Sequence, residues 1–172
     1  MVKEVFTKLL LGFDGSPMAA KALDYAVRIA KSSEATLVIV SVLDPGKLGV
    51  TPDVAERFSP FYAETPLPAE ASERFCFSCA DRYADAKETA TYKAVETDLE
   101  EARKYASRRH VAAETEVLIG PVSEVIVDYA EEKKVDLIIL GSRGLSGFKR
   151  MLMGHVSSDV TEKAHCPVLI VR

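Results

Sequence analysis

Apolar residues are bunched into five short runs, at residues 8–13, 36–43, 114–119, 136–140 and 167–171. Most of these runs are nearly continuous in Leu, Ile and Val rather than alternating with polar residues. Strands covered on both faces read this way, because each face needs its own apolar layer. Between the runs the period becomes helical. Ser16 followed by Pro17 is a helix start, since Ser can cap a free backbone N–H and Pro suits the first turn. Ala19, Ala22, Leu23, Ala26 and Ala30 then recur at helical spacing. Pro121 opens another such pattern, with Val122, Val125, Ile126, Tyr129 and Ala130 on one face. A charged segment from about Asp81 to Arg109 has Val95, Leu99, Ala102 and Ala106 on one side. A last helix, from about His155 to Ala164, is expected to turn Val156, Val160 and Ala164 inward. The order β-α-β-α-β-α-β-α-β predicts an α/β fold: a single open five-stranded parallel sheet, with right-handed crossovers and helices on both faces.

One stretch breaks the pattern. Between Asp44 and about Ala80 lie five of the eight prolines, mixed with Phe58, Phe61, Tyr62, Phe75 and Phe77. A loop this long in a compact domain usually has a task or moves, and its aromatics argue against full disorder. The expectation is one domain over residues 1–172, with a segment inserted at about 44–80 that packs as short helices on the domain edge or on a partner subunit. An insertion without a task is the alternative.

Composition narrows the function. The chain has 172 residues, is 48% hydrophobic and 28% charged, and carries a formal net charge of -4. A basic face for nucleic acid is not indicated, because phosphate neutralisation needs clustered Lys and Arg. The first eight residues are mixed and charged, unlike a secretory signal, and no apolar stretch approaches the roughly 20 residues of a spanning helix. The expected compartment is the cytoplasm, with no membrane partner. Three cysteines fit that compartment. Cys76 and Cys79 form a C-x-x-C pair with no second pair nearby, so it reads as incidental or weakly redox-active. A metal site shared between two subunits is the open alternative.

Ligands of open α/β sheets bind beyond the carboxyl ends of the strands, where strand order reverses. Two loops qualify. After the first strand comes Gly12-Phe13-Asp14-Gly15-Ser16-Pro17, where Asp14 could accept a ribose hydroxyl, help hold a metal ion, or only brace its own turn. After the fourth strand comes a glycine-rich stretch: Gly141, Ser142, Arg143, Gly144, Ser146, Gly147, Lys149, Arg150 and then Gly154 before the last helix. Glycine lets backbone N–H groups approach an anion, and a helix start favours phosphate. Ser157 and Ser158 add hydroxyls there, and Arg143, Lys149 and Arg150 add positive charge. The bland readings are turn-making for the glycines and a solvated face for the bases. No G-x-x-x-x-G-K-[ST] loop, no G-x-G-x-x-G after strand one and no G-x-S-x-G elbow is present. His110 and His165 read as surface or helix-end residues.

Gly141-x-x-Gly144, then nine residues, then Gly154 resembles the ATP-binding signature of the universal stress protein family. Asp14-Gly15-Ser16 and the closing Cys166-Pro167-Val168-Leu169-Ile170-Val171 are similar to this family too. The likeness covers nearly the whole chain except the insertion. It implies a Rossmann-like fold of the adenine nucleotide alpha hydrolase type. It also implies a stress-response factor binding ATP, or ADP or AMP, with Mg or Mn. Asp14 would meet the ribose beside the Gly12 backbone, and Val42 would meet adenine through its main chain. Gly141, Ser142, Arg143 and Gly144 would wrap ribose and phosphates. Gly154, His155, Val156 and Ser157 would hold the phosphates. Homodimers through the last strand, Pro167 to Val171, are implied as well. His155 departs from the pattern, which has Ser or Thr there. An imidazole is bulkier and attracts phosphate best when protonated, so the tightness of triphosphate binding is in question. Three readings follow: a nucleotide-dependent switch, a slow ATP hydrolase, and a structural homodimer that has lost nucleotide binding. No catalytic residue stands out, since no base for a water and no carboxylate cluster for metals is visible.

Overall fold

The structure, a computed structural model, describes residues 6–44, 90–143 and 154–172. The insertion beyond Asp44, with Cys76 and Cys79, and residues 144–153, with Gly144, Lys149 and Arg150, lie outside the described residues. The elements in chain order are β1 (Lys8–Gly12), α1 (Pro17–Ser33), β2 (Thr36–Leu43), α2 (Ala90–Ser107), β3 (Ala113–Ile119), α3 (Val122–Glu132), β4 (Leu137–Gly141), α4 (His155–Lys163) and β5 (Val168–Val171). All five strands pair in parallel, in the order β3-β2-β1-β4-β5.

The continuous apolar runs are explained by what lies on each side. Leu9, Leu11, Leu37, Ile39, Leu137 and Ile139 pack under α1 and α2. Leu10, Val38, Val40, Ile138 and Leu140 pack on the other face, under α3 and α4. Successive side chains of a strand point to opposite faces, so a strand with a layer on each side must be apolar throughout. The edge strand β3 departs from this, alternating exposed Glu114 and Glu116 with half-buried neighbours.

Helix α1 starts as its residues dictate. The Ser16 hydroxyl accepts from the Ala19 N–H at 3.1 Å, and Pro17 stands in the first turn. Its buried face is mostly alanine, namely Ala19, Ala22, Ala26 and Ala30 with Leu23 and Val27, which brings the helix close to the sheet. The α2 face contains Leu99, Ala102 and Ala106 as expected, with Val95 half-buried against the same core. The α3 face contains Val125, Ile126, Tyr129 and Ala130, plus Val127.

One core assignment is corrected. Val156 does not turn inward: it is 37% exposed, while Ser157 is 3% exposed. Residues 156 and 157 flank the buried Val160 on opposite sides, about 40° and 60° around the helix from it, and the flank that faces the exit of β4 is that of Ser157, whose hydroxyl reaches the Ser142 carbonyl, so Val156 is left toward solvent. At the far end of the sheet, Asp136 joins two strands. Its Oδ2 accepts from the Thr7 N–H, the Thr7 hydroxyl and the Lys8 N–H at 2.7, 2.7 and 2.8 Å. These bonds, the Thr7 hydroxyl first, hold its carboxyl below the usual carboxylate range. Among the described residues no helix is long and apolar enough to cross a membrane.

Candidate functional site

Strand order reverses between β1 and β4. β1 leads outward to β2 and β3, whereas β4 leads the other way to β5. The loops leaving β1 and β4 therefore diverge, and the gap beyond their carboxyl ends is the place where such sheets take ligands. The two loops singled out in the sequence are the two that leave these strands.

At the tip of β1, the Phe13 N–H bonds the Val40 carbonyl at 2.8 Å, and the paired register with β2 stops at Gly12. Gly15 has φ 76, and the Asp14 Oδ1 accepts from the Ser16 N–H at 3.0 Å. This is an Asx-type turn, which Asp makes readily. Asp14 is exposed at the strand tip while bracing the turn. Backbone groups alternate sides along a strand. Since the Val40 carbonyl faces β1, the main-chain groups of Val42 face the same side, beyond the level at which β1 has ended. A main-chain contact from Val42 to a planar base is thus geometrically available.

The exit of β4 is packed against two helices. A Cβ on Gly141 would lie 2.8 Å from the carbonyl carbon of Met18 and 3.0 Å from the Ala19 nitrogen. The space left by its missing side chain is therefore taken by the α1 backbone. Ser142 is buried, and its N–H bonds the Val171 carbonyl at 2.7 Å. Its carbonyl accepts from the Gly154 N–H at 2.8 Å and from the Ser157 hydroxyl at 3.4 Å. Arg143 is exposed, and its carbonyl accepts from the Ser16 hydroxyl at 3.3 Å. The start of α4 is thereby tied to the end of β4.

Helix α4 has Gly154 as its N-cap with no side-chain cap bond, and no acidic residue in its first turn. The first N–H groups of any helix lack intrahelical partners, and together with the helix dipole they favour an anion. His155 and Val156 are exposed at this end. The fold thus collects Gly12, Asp14, Val42, Gly141, Ser142, Arg143, Gly154, His155, Val156 and Ser157 at the carboxyl end of the sheet. Among the described residues, no group of three or more His, Cys, Asp or Glu converges as a metal site would.

Two contacts at this end had no signal in the sequence. Ser16 was legible as a helix cap, but its bond to Arg143 spans 127 positions. Asp98 of α2 has an oxygen 3.4 Å from where a Cβ on Gly15 would stand. Helix α1 has no acidic residue in its first turn, so a carboxylate from another helix lies beside that end. His110 and His165 are exposed, one just past α2 and one just past α4. Cys166 is half-buried, and burial pushes its thiol pKa up, away from the reactive thiolate.

Residues 6–172 match the model of the universal stress protein family. The chain belongs to the universal stress protein family. Universal stress protein YxiE of Bacillus subtilis (strain 168) is 36% identical over 168 residues, covering 98% of this chain and 100% of its own. Among solved structures, universal stress protein UspA from Lactobacillus plantarum superposes with a TM-score of 0.71 at 23% identity, over 97% of this chain and 98% of its own. A universal stress protein in complex with cAMP superposes with a TM-score of 0.63 at 25% identity, over 98% of both chains. One from Archaeoglobus fulgidus in complex with dAMP has a TM-score of 0.58 at 20% identity, over 98% of this chain and 99% of its own. These likenesses establish the Rossmann-like α/β fold expected from the sequence for this universal stress protein family member.

Proposed function

We propose that this family member binds an adenine nucleotide beyond β1 and β4, and that occupancy changes how the surface around α4 meets a partner. The observation that carries this reading is the meeting of two backbone turns with an uncapped helix start. The turn after β1 ends on Asp14, the exit of β4 runs through Gly141 to Arg143, and α4 begins beside both at Gly154. A bare helix start suits phosphate, Asp14 suits a ribose hydroxyl, and the Val42 main chain suits a base edge. The solved relative in complex with cAMP supports an adenine nucleotide as the ligand class.

In this reading Gly12, Asp14 and Val42 take the nucleoside. Gly141, Ser142, Arg143 and Gly144 border ribose and phosphates, and Gly154, His155, Val156 and Ser157 border the phosphates. ATP, ADP or AMP would fit this division of roles. A Mg or Mn ion would be held by phosphate oxygens with at most a carboxylate such as Asp14, as Mg commonly is. His155 sets the affinity: a Ser there would fit closer to a phosphate. The exposed apolar edge of β5 supports a homodimer, and the mixed composition supports a cytoplasmic setting.

The decisive experiment is extraction of the purified protein followed by chromatography for ATP, ADP and AMP, together with titration calorimetry using ATP, AMP and cAMP. Binding in the micromolar range, lost in Gly144→Val without loss of fold and tightened several-fold in His155→Ser, is expected. Absence of both bound nucleotide and calorimetric binding removes the reading and leaves a structural homodimer.

A further inference from the structure

The carbonyls that close the β4 exit point to a pair of residues whose task is positioning. Ser142 and Arg143 are consecutive, and both of their carbonyls are engaged by hydroxyls from other elements. The Ser157 hydroxyl, on α4, lies 3.4 Å from the Ser142 oxygen and 3.0 Å from the Gly154 oxygen. It has one hydrogen, shared between these two acceptors. The Ser16 hydroxyl, on the β1–α1 turn, lies 3.3 Å from the Arg143 oxygen while accepting from the Ala19 N–H at 3.1 Å. Both side chains are almost fully enclosed, with Ser16 2% and Ser157 3% exposed. Neither hydroxyl has spare hydrogen for a ligand. A buried hydroxyl whose only hydrogen is committed to the backbone fixes a peptide plane rather than greeting a phosphate.

We infer that Ser16 and Ser157 are positioning residues that clasp the Ser142 and Arg143 carbonyls from two elements, so that both oxygens are taken up by donors and the β4 exit keeps one course between the β1–α1 turn and the start of α4. The physical need is plain. Carbonyl oxygens repel phosphate, and a trans peptide that directs its C=O one way directs the next N–H the other way. Fixing the Ser142 carbonyl on α4, where it accepts from the Gly154 N–H and the Ser157 hydroxyl, therefore fixes the whole peptide plane to Arg143 and covers that oxygen. Fixing the Arg143 carbonyl on Ser16 also joins the nucleoside-side turn, braced by Asp14, to the phosphate-side turn. The inference rests on the nucleotide reading above for its ligand, but the clasp itself is a statement about the protein alone.

The test separates the two. Hydrogen exchange at the Gly154 amide, which bonds the Ser142 carbonyl at 2.8 Å, reads the clasp without any nucleotide. Calorimetry with ATP and cAMP reads its consequence. Ser157→Ala removes one hydroxyl. Ser16→Gly removes the other at little cost to the α1 cap, since Gly is itself a favoured N-cap residue. Each is expected to raise exchange at Gly154 about five-fold and to weaken nucleotide binding by at least as much, with the far-ultraviolet spectrum unchanged. Ser157→Thr and Ser16→Thr, which keep a hydroxyl, restore both readouts. Unchanged exchange at Gly154 in both hydroxyl-free variants overturns the clasp, and raised exchange with unchanged affinity overturns its role in nucleotide binding. Raised exchange in a protein that binds no adenine nucleotide at all supports the clasp and overturns the nucleotide reading instead.

Discussion

At the scale of single residues, the two ends of the sheet use opposite devices. At the amino end a charge is spent on structure. Asp136 opens onto β4 and accepts three hydrogen bonds from Thr7 and Lys8 at the start of β1, which depresses its pKa. A carboxylate with a lowered native pKa stabilises the fold above its unfolded pKa and loses that contribution as the pH falls through the native value. Asp136→Asn should therefore lower stability by about 1 kcal/mol at neutral pH, a figure reduced for the partial exposure of the group. The difference from wild type should shrink as the pH falls below about 4, where the unfolded carboxyl takes a proton first and the native one only at lower pH. Urea midpoints at pH 7 and pH 3 check this; an equal deficit at both would mean that shape and not charge is what Asp136 provides. At the carboxyl end the device is an absence. Gly141→Ala would push a methyl to 2.8 Å from the Met18 carbonyl carbon, and the backbone of α1 cannot rotate away as a side chain could. A loss of roughly 1–3 kcal/mol is expected. Thermal unfolding measures it, and a stability equal to wild type would show that α1 shifts freely.

At the scale of elements, three helices stop by the same device. After α1, α2 and α3, the N–H groups of Ala35, Val111 and Val135 bond back to the carbonyls of Ala30, Ala106 and Ala130 at 3.0, 3.1 and 2.9 Å. Before each lies a residue with positive φ: Glu34 at 53, His110 at 62 and Lys134 at 54. Ala35, Val111 and Val135 are all buried. This is the Schellman arrangement with its apolar contact, made without the glycine that usually takes the left-handed position. Non-glycine residues there cost about 1 kcal/mol in strain. Lys134→Gly should therefore stabilise the protein by roughly 0.5 kcal/mol, once the greater freedom of Gly in the unfolded chain is subtracted. A lower denaturation midpoint in Lys134→Gly would refute this account of the helix stop. The same device limits what could be read from the sequence. Helix starts were legible where Ser16 and Pro17, or Pro121, announce them, and strands were legible because they are buried on both faces. Helix stops were not, because Glu, His and Lys at the left-handed position look like ordinary surface residues. Val156 was misplaced for a related reason. Apolar spacing of four pointed it inward with Val160, yet the buried position belongs to Ser157, whose hydroxyl has a backbone partner. Of the candidate site, the placing of Asp14, Gly141 and Gly154 at the carboxyl end of the sheet was legible by motif. The Ser16–Arg143 bond and the approach of Asp98 to Gly15 join distant segments and leave no local pattern.

At the scale of the whole molecule, the sheet has two unlike edges, and this asymmetry bears on assembly. An open edge offers unpaired backbone groups to another chain, and proteins guard such edges with charge. The β3 edge is guarded, with Glu114 and Glu116 exposed and Glu116 further held by the Tyr129 hydroxyl at 2.7 Å. The β5 edge is not. Val168, Leu169 and Ile170 form an uninterrupted apolar strand that the single chain leaves half-buried. Association through β5 is therefore favoured over association through β3. A charge placed on β5 should oppose it, because pairing would bring two copies of that charge together out of water. If the proposed homodimer forms through β5, Ile170→Lys is accordingly expected to leave a monomer in sedimentation equilibrium, whereas Glu116→Ala should leave the dimer intact. Ile170 also packs partly against the core beneath α3 and α4, so the monomer must keep its helical and strand signal for the result to count. The coupling to the site follows from the chain path. Val171 accepts the Ser142 N–H at 2.7 Å, and Ser142 in turn receives Gly154. An edge strand fixed by a partner would thus hold the β4 exit in place. On the nucleotide reading proposed above, ATP affinity in the folded Ile170→Lys variant should fall a few-fold below that of the unsubstituted protein, and an identical affinity would mean that edge and site are independent.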